Sequence, residues 1–407
     1  MRIPDGAEEI TGALRAAGHE VYFVGGCVRD ALLSRPVNDF DMTTDATPEE
    51  MHEIFRSFRT FDTGIKHGTL TVLSGGSPYE ITTYRVDGTY SDNRHPDGVS
   101  FTRSLREDLA RRDFTVNAMA LSPEGEIVDP FGGREDLSRG IIRAVGDPRR
   151  RFSEDALRIL RAVRFSSKLG FAVEEETRRA LYELRGNLSG ISPERVFSEW
   201  TKITEGDGRV FAVRDFLPVI QVFLPELSAL DPAALGYDRV AEATAPRALP
   251  FAAALFFMAG QGGVAFSSAY SRLRSDTATR LRGAALVDNA SRPFSDIPAA
   301  LRILADVGEE SAHALVALRS YLASRGFVTL PCDEKPVLSA ALASARPYRI
   351  ADLAVGGRET VAAGLRGERI GEALRVILLR VMNGELTNTR SELVKFLHKY
   401  SGNEKSI

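Results

Sequence analysis

The spacing of apolar residues changes near residue 140, and this change separates two kinds of segment along the chain. Before this point, short apolar and β-branched runs bounded by Gly, Ser and Pro alternate with stretches of helical period. After it, apolar positions recur at helical spacing and the strand signals fade. The pattern predicts an α+β fold class, in which an N-terminal mixed α/β part with an antiparallel or mixed sheet precedes an all-α remainder.

The individual elements follow from local patterns. In the N-terminal part we predict helices over residues 10–17, 28–33 and 47–58, strands over 21–24, 39–42, 69–73 and 80–84, and a turn-rich loop over 85–99. In the remainder, helical spacing covers 154–169, 174–184 and 193–205, further helices reach about residue 327, a linker spans 329–336, and helices resume over 336–400. The helix at 154 is expected to have Ser153 as its N-cap, and the helix at 193 to have Ser192 as N-cap and Pro193 in its first turn.

Composition and charge exclude several classes of protein. Of 407 residues, 43% are hydrophobic and 26% are charged, which excludes a wholly disordered chain, and the net charge of −3 excludes a uniformly basic nucleic-acid coat. Two cysteines cannot build a disulfide framework or a four-ligand zinc site. The charge is uneven, because residues 335–407 carry 12 Lys and Arg against 7 Asp and Glu, a net of +5. That excess favours a polyanionic partner for the C-terminal segment.

The sequence predicts neither a secretory signal nor a membrane span. The first 18 residues are charged and lack an apolar signal core. The longest uncharged stretch, 248–270, is interrupted by Pro250 and by the run Gly260-Gln261-Gly262-Gly263. Its apolar part is therefore about half the length that a bilayer requires. We expect a cytoplasmic protein with no membrane partner.

Two acidic residues in Asp39-Phe40-Asp41 form a candidate metal site. On a strand, residues i and i+2 point to one face, so the two carboxylates converge while Phe40 turns into the core. Such hard oxygen ligands hold Mg²⁺, which completes its shell with phosphate and water. Taken alone, the pair also fits an acidic strand end. Glu80, on the predicted strand 80–84, is either a third carboxylate of this site or a solvated strand residue.

A glycine turn precedes the acidic pair in Val24-Gly25-Gly26-Cys27-Val28-Arg29-Asp30. Glycines at a strand end let the backbone approach a ligand, and the free N–H groups that open the next helix favour phosphate. Arg29 lies within reach of the same anion. The alternative is a tight turn with no ligand, but beside the acidic pair the motif predicts a site for phosphoryl or nucleotidyl transfer.

Further chemistry is concentrated in two later segments. Arg111-Arg112-Asp113-Phe114-Thr115-Val116-Asn117-Ala118 offers another arginine for a triphosphate and short polar groups for a ribose, although it also fits a charged, capped helix start. In the predicted helix from residue 154, Arg158, Arg161 and Arg164 form a row of cations that suits an anion.

A pair in the same helix, Asp155 and Arg158, can read the edge of a base. A carboxylate accepts from an exocyclic amine, while a guanidinium donates to a ring nitrogen or a carbonyl. Cytosine and adenine both present an amine beside an acceptor, whereas uracil and guanine present the reverse order. The pair therefore predicts selection of C and A over U and G.

These segments, in this order, resemble the motifs of the class II tRNA nucleotidyltransferases, the CCA-adding enzymes of the polymerase β-like superfamily. The resemblance rests on the glycine turn, Asp39-Phe40-Asp41, the Arg111–Ala118 segment and Glu154-Asp155-Ala156-Leu157-Arg158, and it extends to three shorter runs: Thr63-Gly64-Ile65-Lys66-His67-Gly68-Thr69, Ser192-Pro193-Glu194-Arg195 and Asn383-Gly384-Glu385-Leu386-Thr387-Asn388. Residues from about 200 to 330 match in helical character alone.

The resemblance implies a role for each motif residue. Asp39 and Asp41 would hold catalytic Mg²⁺. Glu80 stays a candidate third catalytic carboxylate on the ground of its strand position alone. Asp155 and Arg158 would form the protein template for CTP and ATP. The implied nucleotide-binding residues are Gly25, Gly26, Arg29, Asp30, Arg112, Asp113, Asn117, Asp155, Arg158, Arg161 and Arg164.

The resemblance also implies domains and partners. A catalytic head would span residues 1–140, a nucleotide-selecting neck 141–205, a helical body 206–328 and a helical tail 329–407. The polymer substrate would be the 3′ end of tRNA, gripped at the acceptor stem and elbow, with CTP and ATP as donors and no DNA partner.

Related activities remain to be distinguished. The segment 87–99 resembles the intact flexible loop of the family, which argues against CC-only addition but leaves A-only addition open. Bacterial poly(A) polymerases tend to read Asn-Ala-Leu-Tyr-Tyr where this chain has Asn117-Ala118-Met119-Ala120-Leu121. A His-Asp doublet typical of an appended phosphohydrolase domain is absent from the sequence. A tRNA-binding module with an inactive head is disfavoured, because Asp39 and Asp41 are both present.

Overall fold

The computed structural model describes residues 2–88 and 99–402. The chain divides into two compact units, Met1–Phe223 and Leu224–Ile407. The first unit contains the described β-strands, and the second is built from helices in its described part. This arrangement matches the predicted α+β class. The finer division into four domains remains a prediction.

A mixed sheet forms the centre of the first unit. Its described strands, named in chain order, are β1 (Val21–Val24), β2 (Met42–Thr44), β3 (Arg59–Gly64), β4 (Thr69–Ser74), β5 (Ser77–Thr83), β8 (Ala120–Leu121) and β9 (Ile127–Val128), with the short β6 (Arg85–Asp87) and β7 (Val99–Phe101) paired outside it. Within the described residues the strand order of the sheet is β3-β4-β5-β2-β1-β8-β9. Strands β2 and β5 pair in parallel and the other neighbours are antiparallel. A further parallel pair joins β10 (Ile141–Ile142) and β11 (Ala172–Val173).

Alternating burial along the strands explains the sheet. In β4 the buried residues are Leu70, Val72 and Ser74, at every second position as the pleat requires. Strand β2 is buried throughout and lies between β5 and β1, so it belongs to the interior of the sheet. The polar segment that leads into β2 therefore enters the sheet at a central position.

The helices of the first unit connect and cover these strands. They are α1 (Asp5–Ala16), α2 (Gly26–Leu32), α3 (Pro48–Ile54), α4 (Leu105–Ala110), α5 (Gly133–Arg139), α6 (Pro148–Glu154), α7 (Leu157–Leu169), α8 (Glu175–Leu184), α9 (Pro193–Glu205), α10 (Arg209–Asp215) and α11 (Leu217–Ile220). Helix α3 begins with a capping box, because Thr47 accepts from the Glu50 amide and Glu50 accepts from the Thr47 amide. Helix α7 buries the face that carries Ile159, Leu160 and Val163.

The second unit continues with helices alone in its described part. They are α12 (Arg239–Thr244), α13 (Ala248–Met258), α14 (Gly263–Arg272), α15 (Thr277–Asn289), α16 (Ile297–Val307), α17 (Glu309–Ser324), α18 (Glu334–Ala343), α19 (Gly357–Ala362), α20 (Glu368–Met382) and α21 (Arg390–Gly402). Inside this unit Arg319 of α17 pairs with Glu334 of α18, and both side chains are almost wholly buried. The residues 334–336, predicted as part of a linker, therefore begin a packed helix instead.

Other predictions also need correction. Residues 85–87 and residue 99, predicted as part of a loop, belong to the paired strands β6 and β7, and β3 was not predicted as a strand. The predicted loop motif at 89–98 lies outside the described residues. Strand β2 begins at Met42, after Asp39 and Asp41 rather than at them. The predicted helix 154–169 is two helices, α6 and α7, with Asp155 between them in an extended conformation.

Candidate active site

A cavity of about 1030 Å³ opens on the first unit. It lies where the segment before β2, the turn before α2, the end of α4 and helix α7 approach one another. The site residues predicted from sequence all line it: Gly25, Gly26, Arg29, Asp30, Asp39, Asp41, Glu80, Arg112, Asp113, Asn117, Asp155, Arg158, Arg161 and Arg164. Residues up to 139 positions apart in sequence are thus brought to one site, whereas their individual roles remain predictions.

The acidic pair lies at the entry to β2. Asp39 and Asp41 precede the strand. The Asp41 carbonyl accepts from the Val24 amide at 3.0 Å, and Phe40 packs edge-on against Phe23 with 6.0 Å between ring centroids. The parallel register pairs Met42 with Ile81, so Asp41 lies beside Glu80. The pKa of Asp41 is raised, first by loss of hydration and then by the Glu80 and Asp39 carboxylates, although Arg112 opposes the shift. Mutual repulsion of this kind makes the site favourable for a cation.

In the described part of the chain, Glu80 does not join Asp39 and Asp41 in a three-residue group arranged to hold a metal ion. Across the described ranges, no group of three or more His, Cys, Asp and Glu side chains is arranged to hold a metal ion. Glu80 is exposed on β5 and acts on Asp41 through its charge. The structure therefore brings Glu80 to the site, while its role as a ligand stays open, as it was from sequence.

The glycine turn has the backbone that its sequence predicts. Gly25 adopts φ 75°, a conformation that residues with a Cβ rarely accept, and Gly26 begins α2. A Cβ at Gly25 would lie 3.2 Å from Nη1 of Arg112. The backbone conformation thus favours glycine here, and a Cβ would also require a small shift of the Arg112 guanidinium. Cys27 follows with a buried thiol that donates to the Val24 carbonyl, and burial raises the pKa of that thiol to about 11.

Arg111 and Arg112 are held by a buried acid that the sequence reasoning did not single out. Asp108 of α4 has no exposed surface and accepts from Arg111 at 2.8 Å and from Arg112 at 3.3 Å. Burial alone would raise the pKa of Asp108, but the two guanidinium groups lower it overall. The Nε of Arg112 is buried without a hydrogen-bond partner among the described residues. The spacing of three and four residues from Asp108 to Arg111 and Arg112, which a helical turn brings together, was the available signal for these pairs.

A chain of buried polar groups links the turn to α7. Arg29 donates to Asn117 at 2.7 Å, Asn117 donates to Asp113 at 3.1 Å, and Asp113 accepts from Nε of Arg161 at 2.7 Å. Burial would raise the pKa of Asp113, but Arg161 and Asn117 lower it to about 2. Arg29 also pairs with Asp30 at 2.8 Å. These groups were predicted to contact sugar or phosphate, and in this structure they contact one another.

The two base-reading candidates are each fixed by a neighbour. Asp155 follows α6 with φ −139° and ψ 105°, and it accepts from the Leu157 amide and from Arg195, each at 3.0 Å. Arg158 donates to Glu154 at 2.9 Å and to the Arg111 carbonyl at 3.0 Å. The predicted arrangement, one turn apart on one helix, is wrong, because the helix breaks at Asp155. The side chains nevertheless both line the cavity.

The arginines of α7 do not form a row of free cations, as the sequence suggested. Arg158, Arg161 and Arg164 pair with Glu154, Asp113 and Glu199 respectively. Burial lowers the pKa of Arg164, although the Glu199 carboxylate opposes this shift. The three paired carboxylates reduce the repulsion between these arginines and keep them at the cavity wall.

Several residues of the cavity were missed from sequence. Phe165 lies 5.2, 5.6 and 4.1 Å from the guanidinium carbons of Arg29, Arg161 and Arg164, measured from its ring centroid. Arg35, Lys168 and Arg195 also line the cavity. Of these, Arg195 lies in Ser192-Pro193-Glu194-Arg195, a run that already resembled the family, so its motif was the available signal.

Comparison with known proteins agrees with this geometry. Residues 21–143 match a family model described as the poly A polymerase head domain, and residues 170–230 match a probable RNA and SrmB-binding site of polymerase A. A CCA-adding enzyme of Lactobacillus delbrueckii subsp. bulgaricus is 39% identical over 94% of this chain and 95% of its own length. The chain belongs to the CCA-adding enzyme family.

Other CCA-adding enzymes extend the comparison. One from Leuconostoc mesenteroides is 52% identical over 49% of each chain. The crystal structure of the Bacillus stearothermophilus CCA-adding enzyme in complex with CTP superposes with a TM-score of 0.79 at 31% identity, and covers 99% of this chain and 100% of the other. The fold class and the identification as a nucleotidyltransferase are therefore confirmed.

None of the helices in residues 2–88 and 99–402 combines the length and apolarity that crossing a bilayer requires. The cytoplasmic location inferred from sequence stays a prediction.

Proposed function

We propose that this chain adds CMP and AMP to the 3′ end of tRNA, without a nucleic-acid template, from CTP and ATP in a Mg²⁺-dependent reaction. The observation that carries the proposal is the convergence of the acidic pair, the arginines and the base-reading pair on one cavity. Membership of the CCA-adding enzyme family supports it. The neck, body and tail are proposed to select the nucleotide and to grip the tRNA.

The acidic pair suits Mg²⁺ by its donors. Asp39 and Asp41 offer hard carboxylate oxygens two residues apart, and the pKa of Asp41 is raised by burial first and by the Glu80 and Asp39 carboxylates next, so a bound cation would stabilise its charged form. When bound, Mg²⁺ supplies electrostatic stabilisation of the phosphoryl oxygens during the displacement. We propose that Asp39 and Asp41 hold it and that Glu80 tunes the charge beside it.

The cationic wall suits the triphosphate. Arg112 and Arg29 line the cavity next to the glycine turn, and the Nε of Arg112 is a buried donor that has no hydrogen-bond partner within residues 2–88 and 99–402. An anionic acceptor satisfies such a donor better than water in a confined site. We propose that these arginines orient the triphosphate so that the tRNA 3′ hydroxyl faces its α-phosphate and pyrophosphate leaves.

The base is proposed to meet Asp155 and Arg158. Asp155 accepts from the exocyclic amine of cytosine or adenine, and Arg158 donates to the adjacent ring nitrogen. The keto oxygen of uracil or guanine would face the Asp155 carboxylate as a second acceptor, which is repulsive. Selection by protein side chains accounts for addition without a nucleic-acid template.

The test is incorporation into tRNA that lacks its terminal CCA, with Asp39→Asn, Asp41→Asn and the control Asp62→Asn. Asp62 is an exposed carboxylate on β3 that does not line the cavity. We expect Mg²⁺-dependent incorporation by the unmodified chain and the control, and loss of incorporation with retained tRNA binding for the other two. Full turnover by either Asp39→Asn or Asp41→Asn would refute the metal assignment.

A further inference from the structure

Arg195 reaches the base-reading acid from a helix outside the predicted nucleotide site. It lies in the first turn of α9, and its Nη2 donates to Oδ2 of Asp155 at 3.0 Å. It also lines the cavity. The contact spans 40 residues of sequence and joins α9 to the junction between α6 and α7.

The orientation of the Asp155 carboxylate depends on few donors. The backbone of Asp155 is extended and is held at both ends, because its amide donates to the Arg151 carbonyl and its carbonyl accepts from the Arg158 amide, so the donors to its side chain alone set the orientation of the carboxylate. Its Oδ1 accepts from the Leu157 amide and its Oδ2 accepts from Arg195. Both bonds go to a carboxylate, but Arg195 is the charged one of these two donors, so Coulomb attraction adds to its hydrogen bond.

The second nitrogen of the same guanidinium has no protein partner in the described part of the chain. Nη1 of Arg195 is buried and makes no hydrogen bond there. An unpaired buried donor is unfavourable, and a ligand acceptor in the cavity relieves it. The arginine thus contacts Asp155 and also lines the space that a nucleotide would fill, as Asp155 does.

We propose that Arg195 is a positioning residue for nucleotide selection. It holds the Asp155 carboxylate so that an oxygen accepts from the exocyclic amine of cytosine or adenine and repels the keto oxygen of uracil or guanine. The inference rests on the proposed function, because it concerns the choice among nucleotides in that reaction. Without Arg195 the carboxylate keeps the Leu157 amide as its donor and turns more freely, so the discrimination weakens.

A purely structural role for Arg195 has a different consequence. If the contact only joins α9 to the α6–α7 junction, its loss lowers the rate for all nucleotides in the same proportion and lowers the melting temperature. If it positions Asp155, its loss changes the ratio between nucleotides. The ratio of kcat/KM values therefore separates the two roles.

The experiment compares Arg195→Met and Arg195→Lys with the unmodified chain in single additions. On tRNA ending at the discriminator base, kcat/KM is measured for CTP and UTP; on tRNA ending in CC, for ATP and GTP. We expect Arg195→Met to reduce both ratios about ten- to a hundredfold, as for loss of a hydrogen bond between charged groups. Arg195→Lys, which keeps the charge, should restore part of the selectivity. tRNA affinity should not change.

A matched control is Arg179→Met, which removes an arginine from exposed pairs with Glu175 and Glu176 on α8, outside the cavity. Its ratios should equal those of the unmodified chain. Unchanged ratios in Arg195→Met, or an equal fall for all four nucleotides, overturn the inference. If Arg195→Met does not fold, unchanged ratios in Arg195→Lys overturn it instead. If the unmodified chain adds neither CMP nor AMP, the proposed function itself is contradicted. That result differs from failure of the Arg195 proposal, in which the unmodified chain is active and selective.

Discussion

Arg161 and Asp113 form a charged pair that joins α7 to the segment after α4, with Nε of Arg161 at 2.7 Å from the carboxylate. Through Asn117 and Arg29 the same carboxylate is linked to the glycine turn. The helix that carries the base-reading arginine is thus tied by buried polar groups to the part of the cavity proposed to bind phosphate. Asp113 is the central member of this network.

Asp113→Asn should destabilise the chain in a pH-dependent way. The pKa of Asp113 falls from an ordinary 3.8 to about 2 in the folded chain, so its ion pair stabilises the fold above about pH 4, and that stabilisation is lost as pH falls towards 2. The shift corresponds to about 2 kcal/mol. In urea unfolding, the gap between the variant and the unmodified chain should be full at pH 7 and shrink below pH 4. A gap that is independent of pH contradicts the assignment.

Arg112→Met and Asp155→Ala should produce different kinetic defects. If Arg112 binds triphosphate, its loss raises KM for CTP and ATP together by about tenfold or more, as for a lost charge-assisted contact. If Asp155 reads the base, its loss changes the choice of C and A against U and G. Steady-state kinetics with all four nucleotides separates the two. A change in base choice for Arg112→Met would contradict a role limited to the triphosphate. An unchanged base choice for Asp155→Ala would contradict its role in reading the base.

Arg319→Met should strongly destabilise the second unit. Glu334 is 2% exposed and accepts from Arg319 and from the Phe294 amide, so removal of the arginine leaves a buried charge unpaired. Breaking such a pair costs about 3–5 kcal/mol, whereas replacing both partners by apolar residues costs less. Urea unfolding of Arg319→Met and of Arg319→Met with Glu334→Met measures both effects. The exposed pair between Arg282 and Glu310 provides the control, and Arg282→Met should cost less than about 1 kcal/mol.

tRNA affinity should fall steeply with salt if the tail contacts phosphates. Lys395 and Lys399 are exposed one turn apart on α21, in the segment with a net charge of +5. Replacing both with Gln should lower the slope of log K against log salt by about 1 to 2, since each phosphate contact releases about one counterion. Arg56→Gln, at an exposed site in the head paired with Glu53, should leave the slope unchanged. An unaltered slope in the lysine variant would exclude these two side chains as phosphate contacts.

Local chemistry allowed much of the site to be predicted from sequence. The positive φ of Gly25, the capping box of α3 and the bounds of α9 follow from residue types that act over a few positions. The site residues predicted from sequence all line the cavity, because their motifs place charges and glycines together, although each motif also had a local structural explanation and their roles remain predictions.

Long-range contacts explain most of what could not be predicted. The break between α6 and α7 places Asp155 where Arg195, 40 residues away, can hold it, and helical periodicity runs through the break without a signal. Likewise the arginines of α7 look free in sequence, while their partners Asp113 and Glu199 lie on distant segments. Glu334 was predicted to belong to a linker, because its buried partner, Arg319, lies on another helix and gives no local signal.

The central claim is tested most directly by supplying the purified chain with tRNA that ends at the discriminator base, at C or at CC, together with CTP and ATP. The account predicts that all three substrates are extended to CCA and that extension then stops. Extension of the CC substrate alone would instead indicate A-only addition, and continued addition of A would indicate poly(A) synthesis. Either result, or no extension of any substrate in the presence of Mg²⁺, would contradict CCA addition.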